Sequence, residues 1–391
     1  MPDIDVSFII SLYKPNLLFL REMVESVVDC CRQATDVKCE IVLSSDGSPD
    51  DAALEVEKYA EMYPDLVVGC NSSVNRGVGA ARCALVEKSR GRYIASFDQD
   101  DILLPFDLAG KVKFLDEHRE YAASYAPKFL FDENGLTGTT HGGKISRFTA
   151  FFSPKININA MLIRREELIA HQSFMPCPGS PINDDVYLMM RLQYDRDLYF
   201  DTDPRCLYRC HPQQNRFSSK DEDFLVMGNA MIAKDPELYQ AILDGKDPQE
   251  TPENFRAVQG YYGLAFFLNQ NKNRGLANKI AERAVKFHPE DFGAWESLLV
   301  SRFNQLDFRD TFAEACQRFE NDLEALLTFY SWMFVFYEKK HLQMPPDFRK
   351  RYLEMRKVFY AAPEIVRDNL PRSVTEKKRP NYVFVAPKLK I

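Results

Sequence analysis

The chain has no Cys-x-x-Cys pair. Its nine cysteines lie scattered at positions 30, 31, 39, 70, 83, 177, 206, 210 and 316. An odd number of thiols without metal or disulfide spacing argues against a zinc module or a disulfide scaffold and fits a reducing cytoplasm. No apolar stretch reaches bilayer length. The uncharged aromatic run 326–337 has 12 residues, where a spanning helix needs about 20; buried helix is its first reading and interfacial contact its second. The chain opens Met-Pro-Asp-Ile-Asp and runs straight into a strand pattern, so no signal peptide is expected. A basic excess is also lacking: the net charge of −7 argues against nucleic acid as the main partner. Residues 13–20, behind the first strand pattern, contain no glycine. That removes the Gly-rich basic loop a nucleotidyltransferase would need there.

The charge is unevenly spread. Residues 338–391 hold 14 Lys/Arg against 6 Asp/Glu, a local charge of +8 that leaves −15 for the remainder. With 391 residues and an ordinary apolar share, two domains or one elaborated domain are expected. Residues 5–12 read as a buried strand stopped by the turn Lys14-Pro15-Asn16. Leu17, Leu20, Val24, Val27 and Val28 then keep helical spacing. Strands follow at 40–44, 66–69 and 92–97, and helices at 52–62 and 79–89; Ser48 or Asp50 is placed to cap the first of these helices. Such alternation with short connections predicts an α/β fold with a mainly parallel sheet and helices on its faces. Further strands are expected at 123–131, 158–163, 198–200 and 206–209, and a helix at 184–194.

The polar stretch 244–254, with two prolines, is the best linker candidate. Beyond it the pattern is wholly helical. Tyr261, Leu264, Ala265, Leu268, Ala277, Ala281, Ala284 and Pro289 match a tetratricopeptide helix pair, with a weaker copy at Trp295, Leu298 and Ala315. So few repeats cannot bury a solenoid core alone. This region should therefore pack on the first domain or on another subunit. The division read from these patterns is 1–220, a connecting 221–254, and a helical, repeat-like 255–391.

Four groups of residues carry chemistry. Asp98-Gln99-Asp100-Asp101 follows the apolar run 93–97 directly, placing carboxylates at the C-terminal end of a buried strand. Ligands bind at that edge of open α/β sheets, and paired carboxylates suit a hard divalent cation on phosphate oxygens; an acidic turn is the plain alternative. Gly77-x-Gly79-x-x-Arg82 departs from a dinucleotide fingerprint in following the third strand and in carrying Arg82 where a small residue belongs. An oxidoreductase is disfavoured accordingly. What remains is Asn75, two glycines and an arginine at a strand-to-helix turn, suited to an anion. Asp184-Asp185 open a helix after the approach Pro178-Gly179-Ser180-Pro181-Ile182-Asn183. One of them serves the helix start, and a carboxylate there is placed to be a general base. His211, behind Tyr208-Arg209, sits on a loop able to close on a diphosphate or metal.

Taken in order, these pieces resemble the family 2 glycosyltransferases, inverting nucleotide-sugar-dependent enzymes of the GT-A fold. The resemblance rests on Val6-Ser-Phe-Ile-Ile-Ser-Leu-Tyr13, Ser45-Asp46-Gly47-Ser48-Pro49-Asp50, Asn75-x-Gly77-x-x-x-Ala81-Arg82, Phe97-Asp98-Gln99-Asp100-Asp101, Asn183-Asp184-Asp185-Val-Tyr-Leu-x-x-Arg191-Leu192 and Tyr208-Arg209-x-His211. It covers 6–211 and leaves the chain from Asp221 onward unmatched. It implies that Asp46 reads the uracil edge, that Ser11 and Tyr13 line the nucleotide, and that Asn75 and Arg82 lie near base and diphosphate. Asp98 and Asp100 form the DxD element for Mn²⁺ or Mg²⁺, with Gln99 beside the nucleotide and His211 meeting the metal or diphosphate. Asp185 is the implied base, supported by Asp184, Asp101 and Arg191. Three departures bear on sugar choice rather than mechanism: Ser45 stands for a frequent Asp, Cys83 for Asn, and Asp184 for Glu.

The implied reaction is a single displacement with inversion. A metal offsets charge on the leaving diphosphate while a carboxylate on the opposite face deprotonates the attacking hydroxyl. The implied partners are a UDP-sugar donor and a glycan, lipid-linked or protein hydroxyl acceptor, with no nucleic acid. A homodimer and peripheral contact with the inner membrane face through the basic tail are further expectations. The competing reading is a catalytically idle scaffold that binds or assembles through its helical region; intact Asp98, Asp100 and Asp185 count against it.

Overall fold

The computed structural model describes residues 4–140, 145–149, 158–159, 161–179, 184–212, 214, 221–360, 362–371 and 374. β1 (Val6–Leu12), α1 (Leu17–Gln33), β2 (Cys39–Ser45), α2 (Ala52–Met62), β3 (Val67–Gly69), α3 (Val78–Lys88) and β4 (Tyr93–Ser96) alternate as expected. β1 pairs in parallel with both β2 and β4, and β2 with β3. A strand sandwiched between helix layers is apolar on both faces. In β1, Phe8 and Ile10 accordingly face the core of α1, while Ile9 faces that of α3. The Asn16 side chain starts α1 by accepting from the Leu18 and Phe19 amides. At α2 the Asp50 carboxylate accepts from Ala52 N at 3.2 Å. Ser48 instead ties the neighbouring loop down, its Oγ accepting from Lys14 N at 2.8 Å.

Past β4 the chain runs through β5 (Ile102–Leu103), α4 (Leu108–Glu117), β6 (Tyr121–Tyr125), β7 (Lys128–Asp132), β8 (Gly135–Thr140), β9 (Leu162–Arg164), α5 (Arg165–Ala170), α6 (Asp184–Asp195), β10 (Asp197–Phe200) and β11 (Cys206–Arg209). The seven-stranded sheet has the order β10-β6-β9-β4-β1-β2-β3, with β9 antiparallel to both neighbours. A second sheet has the order β5-β11-β7-β8. The single strand expected at 123–131 is therefore two strands in different sheets. Pro127 lies between them, and its missing N–H interrupts a ladder. The strand expected at 158–163 shortens to β9, since Met161 N closes a turn on the Ile158 carbonyl at 3.1 Å.

Among the described residues the helical half holds α7 (Asp221–Ile232), α8 (Pro236–Leu243), α9 (Phe255–Asn269), α10 (Arg274–Phe287), α11 (Phe292–Arg302), α12 (Phe308–Arg318), α13 (Leu323–Lys339), α14 (Pro346–Tyr360) and α15 (Glu364–Asp368). Tyr261, Leu264, Ala265, Ala277, Ala281 and Ala284 share one core, as their spacing suggested. That core also takes in Met227, Met231 and Ile242 from the connecting segment, and Phe148, Cys177 and Met190 from the first half. The helical region thus packs on the first domain. The 244–254 stretch is held against α10: Asp247 accepts from Arg283 Nε at 2.8 Å, and Glu250 meets His288 at 2.6 Å.

Within the run 326–337, Leu326, Leu327, Phe329, Tyr330, Trp332, Met333 and Phe336 are buried, so its role is core packing. Among the described residues no helix is long and apolar enough to cross a membrane. Downstream, Ala362 and Val366, flanked by Leu370 and Val374, pack onto Ile102, Leu104, Phe129, Phe131, Leu136 and Leu207 of the small sheet. The basic Lys377-Lys378-Arg379 lies outside the described residues.

Candidate functional site

The C-terminal ends of β1, β2 and β4 form one edge, and α3 brings Arg82 to it. Gly77, at φ +83°, makes the turn into α3. Gly79 lets α3 approach α6, since a Cβ there would lie 2.8 Å from the Phe174 carbonyl oxygen and 3.0 Å from Asp184 Cβ. Arg82 then donates to Asp184 at 3.0 Å and to Asp98 at 2.8 Å. Burial works against its charge, but Asp184 and Asp98 outweigh that and hold the guanidinium above its ordinary value. Arg82 thus spends its donors on two carboxylates and joins the acidic turn to the start of α6.

Asp185, next in line, accepts from its own Val186 N at 2.8 Å. Desolvation and the neighbouring Asp184 push its carboxyl up, against the pull of Arg82. Arg191 holds the loop before α6 by donating to the carbonyls of His171, Ser173 and Met175 at 2.6, 3.0 and 3.2 Å. Asn183 and the rest of 180–183 lie outside the described residues.

The three residues expected to hold a metal, Asp98, Asp100 and His211, are brought together only in part. Asp100 Oδ2 and His211 Nε2 are 2.7 Å apart, whereas Asp98 is turned to Arg82. Among the described residues no three carboxylate, imidazole or thiol groups converge as a ready ligand set. The Arg82 cation already neutralises Asp98, which is why that limb points away. Burial and Asp98 push the Asp100 carboxyl up, and His211 draws it down. Asp101 is fully buried and structural: it accepts from Arg209 N at 2.8 Å and from the Asn159 side chain.

Among the residues expected to line a nucleotide, Gln99 clasps the β1 loop, accepting from Tyr13 N at 2.9 Å and donating to Tyr13 O at 3.0 Å. Ser11 sits on β1 in register with Ser44 of β2. Asp46 accepts from the Arg76 and Gly77 amides at 3.1 Å, while Asn75 Oδ1 accepts from Gly77 N at 3.0 Å. Both side chains therefore shape the loop before α3. A cavity of about 590 Å³ adjoins Asp46, lined also by Ser44, Ser72, Val74, Arg76 and Ala81.

Arg209 has a larger part than its place in a sequence motif indicated. Its guanidinium lies between the rings of Phe19 and Phe131, 4.1 and 4.7 Å from their centroids. From there it donates to the Asp100 carbonyl at 2.8 Å and to Glu22 at 2.7 Å. It fixes the acidic turn to α1 one strand-end away from His211. The only signal in the sequence was its position two residues before that histidine.

Residues 7–171 match the family described as Glycosyl transferase family 2. The match covers 165 of the 391 residues, and the helical half lies beyond it. A 134-residue stretch, 34% of this chain, is 31% identical to the minor teichoic acid biosynthesis protein GgaB of Bacillus subtilis and covers 14% of it. A 157-residue stretch, 40% of this chain, is 26% identical to the UDP-Glc:alpha-D-GlcNAc-diphosphoundecaprenol beta-1,3-glucosyltransferase WfaP of Escherichia coli and covers 55% of that protein. The matches therefore span only part of these relatives. Among solved structures, S. aureus TarS 1–349 in complex with UDP-GlcNAc aligns over 91% of this chain and 90% of its own, at 15% identity and a TM-score of 0.47.

Proposed function

We propose that this chain is an inverting, metal-dependent glycosyltransferase that moves a sugar from a UDP-sugar to a hydroxyl acceptor. The observation that carries the reading is the Arg82 bridge, which sets the acidic turn 98–101 and the Asp184-Asp185 pair against one another at the strand ends. In this reading donor chemistry belongs to the turn and proton removal to α6, either side of one guanidinium. Asp185 takes the proton of the attacking hydroxyl; a carboxyl raised towards neutrality is a better base than an ordinary one. Arg82, through Asp184, and Arg191, through the loop before α6, hold the start of the helix that carries it. Gln99 and Asp46 shape the loops around the nucleotide, and the UDP-sugar named for WfaP supports uracil as the base.

The residue types suit a divalent cation, which Asp98 would share with Asp100 on turning away from Arg82. Asp98 and Asp100 offer hard oxygens, and His211 Nδ1 is buried with no partner among the described residues. Mn²⁺ or Mg²⁺ held there would offset the negative charge that builds on the diphosphate oxygens. The cytoplasm remains the proposed location, in keeping with nine scattered cysteines that lack disulfide spacing.

Calorimetry with UDP and UDP-sugars, with and without Mn²⁺, tests the donor side: metal should tighten UDP binding, and Asp100→Ala should abolish that gain. Asp185→Asn should lower transfer by about two orders of magnitude or more while leaving UDP affinity near normal. Equal UDP affinity with and without chelator would overturn the metal reading. Near-native transfer by Asp185→Asn would overturn the assignment of the base. Absence of transfer with every donor, alongside intact UDP binding, would favour a binding scaffold.

A further inference from the structure

Among the described residues the outer face of α14 has no role in the site and no partner in the fold. The helix docks on α13 through Phe348, Tyr352 and Met355, which fill the small core around Tyr330. Arg349, Lys350, Leu353 and Lys357 stand on the opposite side. Leu353 follows Lys350 by three residues and Arg349 by four, and Lys357 follows Leu353 by four, so the four share one stripe. All four are exposed, Leu353 at 42%, and Val358 nearby is 68% exposed. Among the described residues Arg349, Lys350 and Lys357 enter no ion pair. Lys339, Lys340 and the exposed Leu342 extend the patch onto the preceding turn. Three acids, Glu338, Asp347 and Glu354, share the segment 338–358 with seven Lys/Arg, in a chain of net charge −7.

We infer that this face docks on an anionic phospholipid surface. Long basic side chains around isolated apolar ones are the make-up of an interfacial helix face. The opposite sign elsewhere on the chain orients approach, because an anionic leaflet attracts this patch and repels the remainder. A second copy is a poor occupant: two-fold pairing would set the basic stripe against itself, and scattered Leu and Val fall short of the roughly 1,200 Å² a stable interface buries. Since α14 is committed to α13 by its aromatic face, contact is shallow and mainly electrostatic.

The consequence for acceptor choice rests on the glycosyltransferase reading. Lys357 lies five residues before Ala362, at most ~18 Å of chain, and Ala362 packs on the small sheet that runs from the acidic turn and ends before His211. A docked α14 keeps the site near the bilayer, which favours a lipid-linked hydroxyl as acceptor.

The test uses the full chain without donor, so its outcome is independent of transfer activity. Co-sedimentation is measured with vesicles of phosphatidylglycerol and phosphatidylcholine and with phosphatidylcholine alone, at low and high salt. The chain should bind the anionic vesicles at low salt and leave them at high salt. R349E/K350E/K357E should weaken partitioning at least about a hundredfold, a factor of roughly five for each basic residue lost. A charge-matched K58E/K113E/K279E control, at exposed sites elsewhere, should bind as the parent does. No binding to anionic vesicles, equal binding to neutral ones, or equal loss in the control would each overturn the inference. So would a dimer in light scattering that the α14 variant dissolves, since that gives the face to a second copy. Loss of activity with vesicle binding intact would overturn the functional reading alone.

Discussion

Replacing Arg82 by Met keeps the length of the side chain and removes its charge. Two carboxylates lose their partner, and they lose unequal amounts. The Asp98 side chain is 37% exposed, so water and salt screen that limb and it is worth at most about 1 kcal/mol. The Asp184 side chain is 4% exposed. A charge left uncompensated there costs about 3–5 kcal/mol, because desolvation has already been incurred. The Asp184 limb therefore sets the magnitude. Because the two halves share cores, the whole 391-residue chain is the cooperative unit; each kcal/mol is then worth roughly 1 °C, which gives a fall of about 5 °C in the melting temperature. Arg82→Lys should fall between, since one ammonium can serve Asp184 but not span both carboxylates. The decisive measurement is the double variant Arg82→Met/Asp184→Asn by scanning calorimetry. With both buried charges gone it should melt above Arg82→Met, with a coupling of about 2 kcal/mol or more. If Arg82→Met melts within about 2 °C of the parent, or if Asp184→Asn deepens the loss, the bridge does not have the part assigned to it.

Asp201 supplies a pH test away from the site. Burial pushes its carboxyl up, but the Arg205 charge and the Lys111 hydrogen bond overcome that and hold it below the ordinary range. A depressed folded-state value stabilises above the unfolded pKa of about 4 and is lost as pH falls through the lower folded value. Urea unfolding between pH 7 and 3 should thus show a steeper acid loss in the parent than in Asp201→Asn. On the small sheet, Val366→Ala removes two fully buried carbons and should cost about 2 kcal/mol in chemical denaturation; an unchanged midpoint would mean the 362–374 segment contributes nothing.

The parallel half of the fold was legible because β1, β2 and β4 are continuous apolar runs, as strands buried on both faces must be. The β6–β7 boundary was not, although Pro127 marked it, because both flanks are apolar and a single long strand explains the same pattern. β8 escaped notice for the opposite reason: Gly-Leu-Thr-Gly-Thr-Thr has little to bury. At the site, the positions of Asp98, Asp100 and Asp185 followed from strand and helix ends. Their partners did not. Arg82 meets Asp184 across 102 positions, and Arg209 meets Glu22 across 187. No local pattern encodes which arginine closes on which carboxylate, so the sequence placed Arg82 near an anion without naming Asp184 or Asp98, and Arg209 received no role of its own.

The seating of Ala362 and Val366 on the small sheet has a consequence for how this chain becomes a protein. Ile102, Leu104 and Phe131 emerge from the ribosome long before the residues that cover them. Until then the sheet offers a bare apolar face next to the acidic turn, and contacts so distant in sequence close slowly. The N-terminal half is therefore not an autonomous folding unit that later acquires a helical appendage. A fragment cut between the halves should aggregate, and a nascent chain should need protection of that face until the helices have followed.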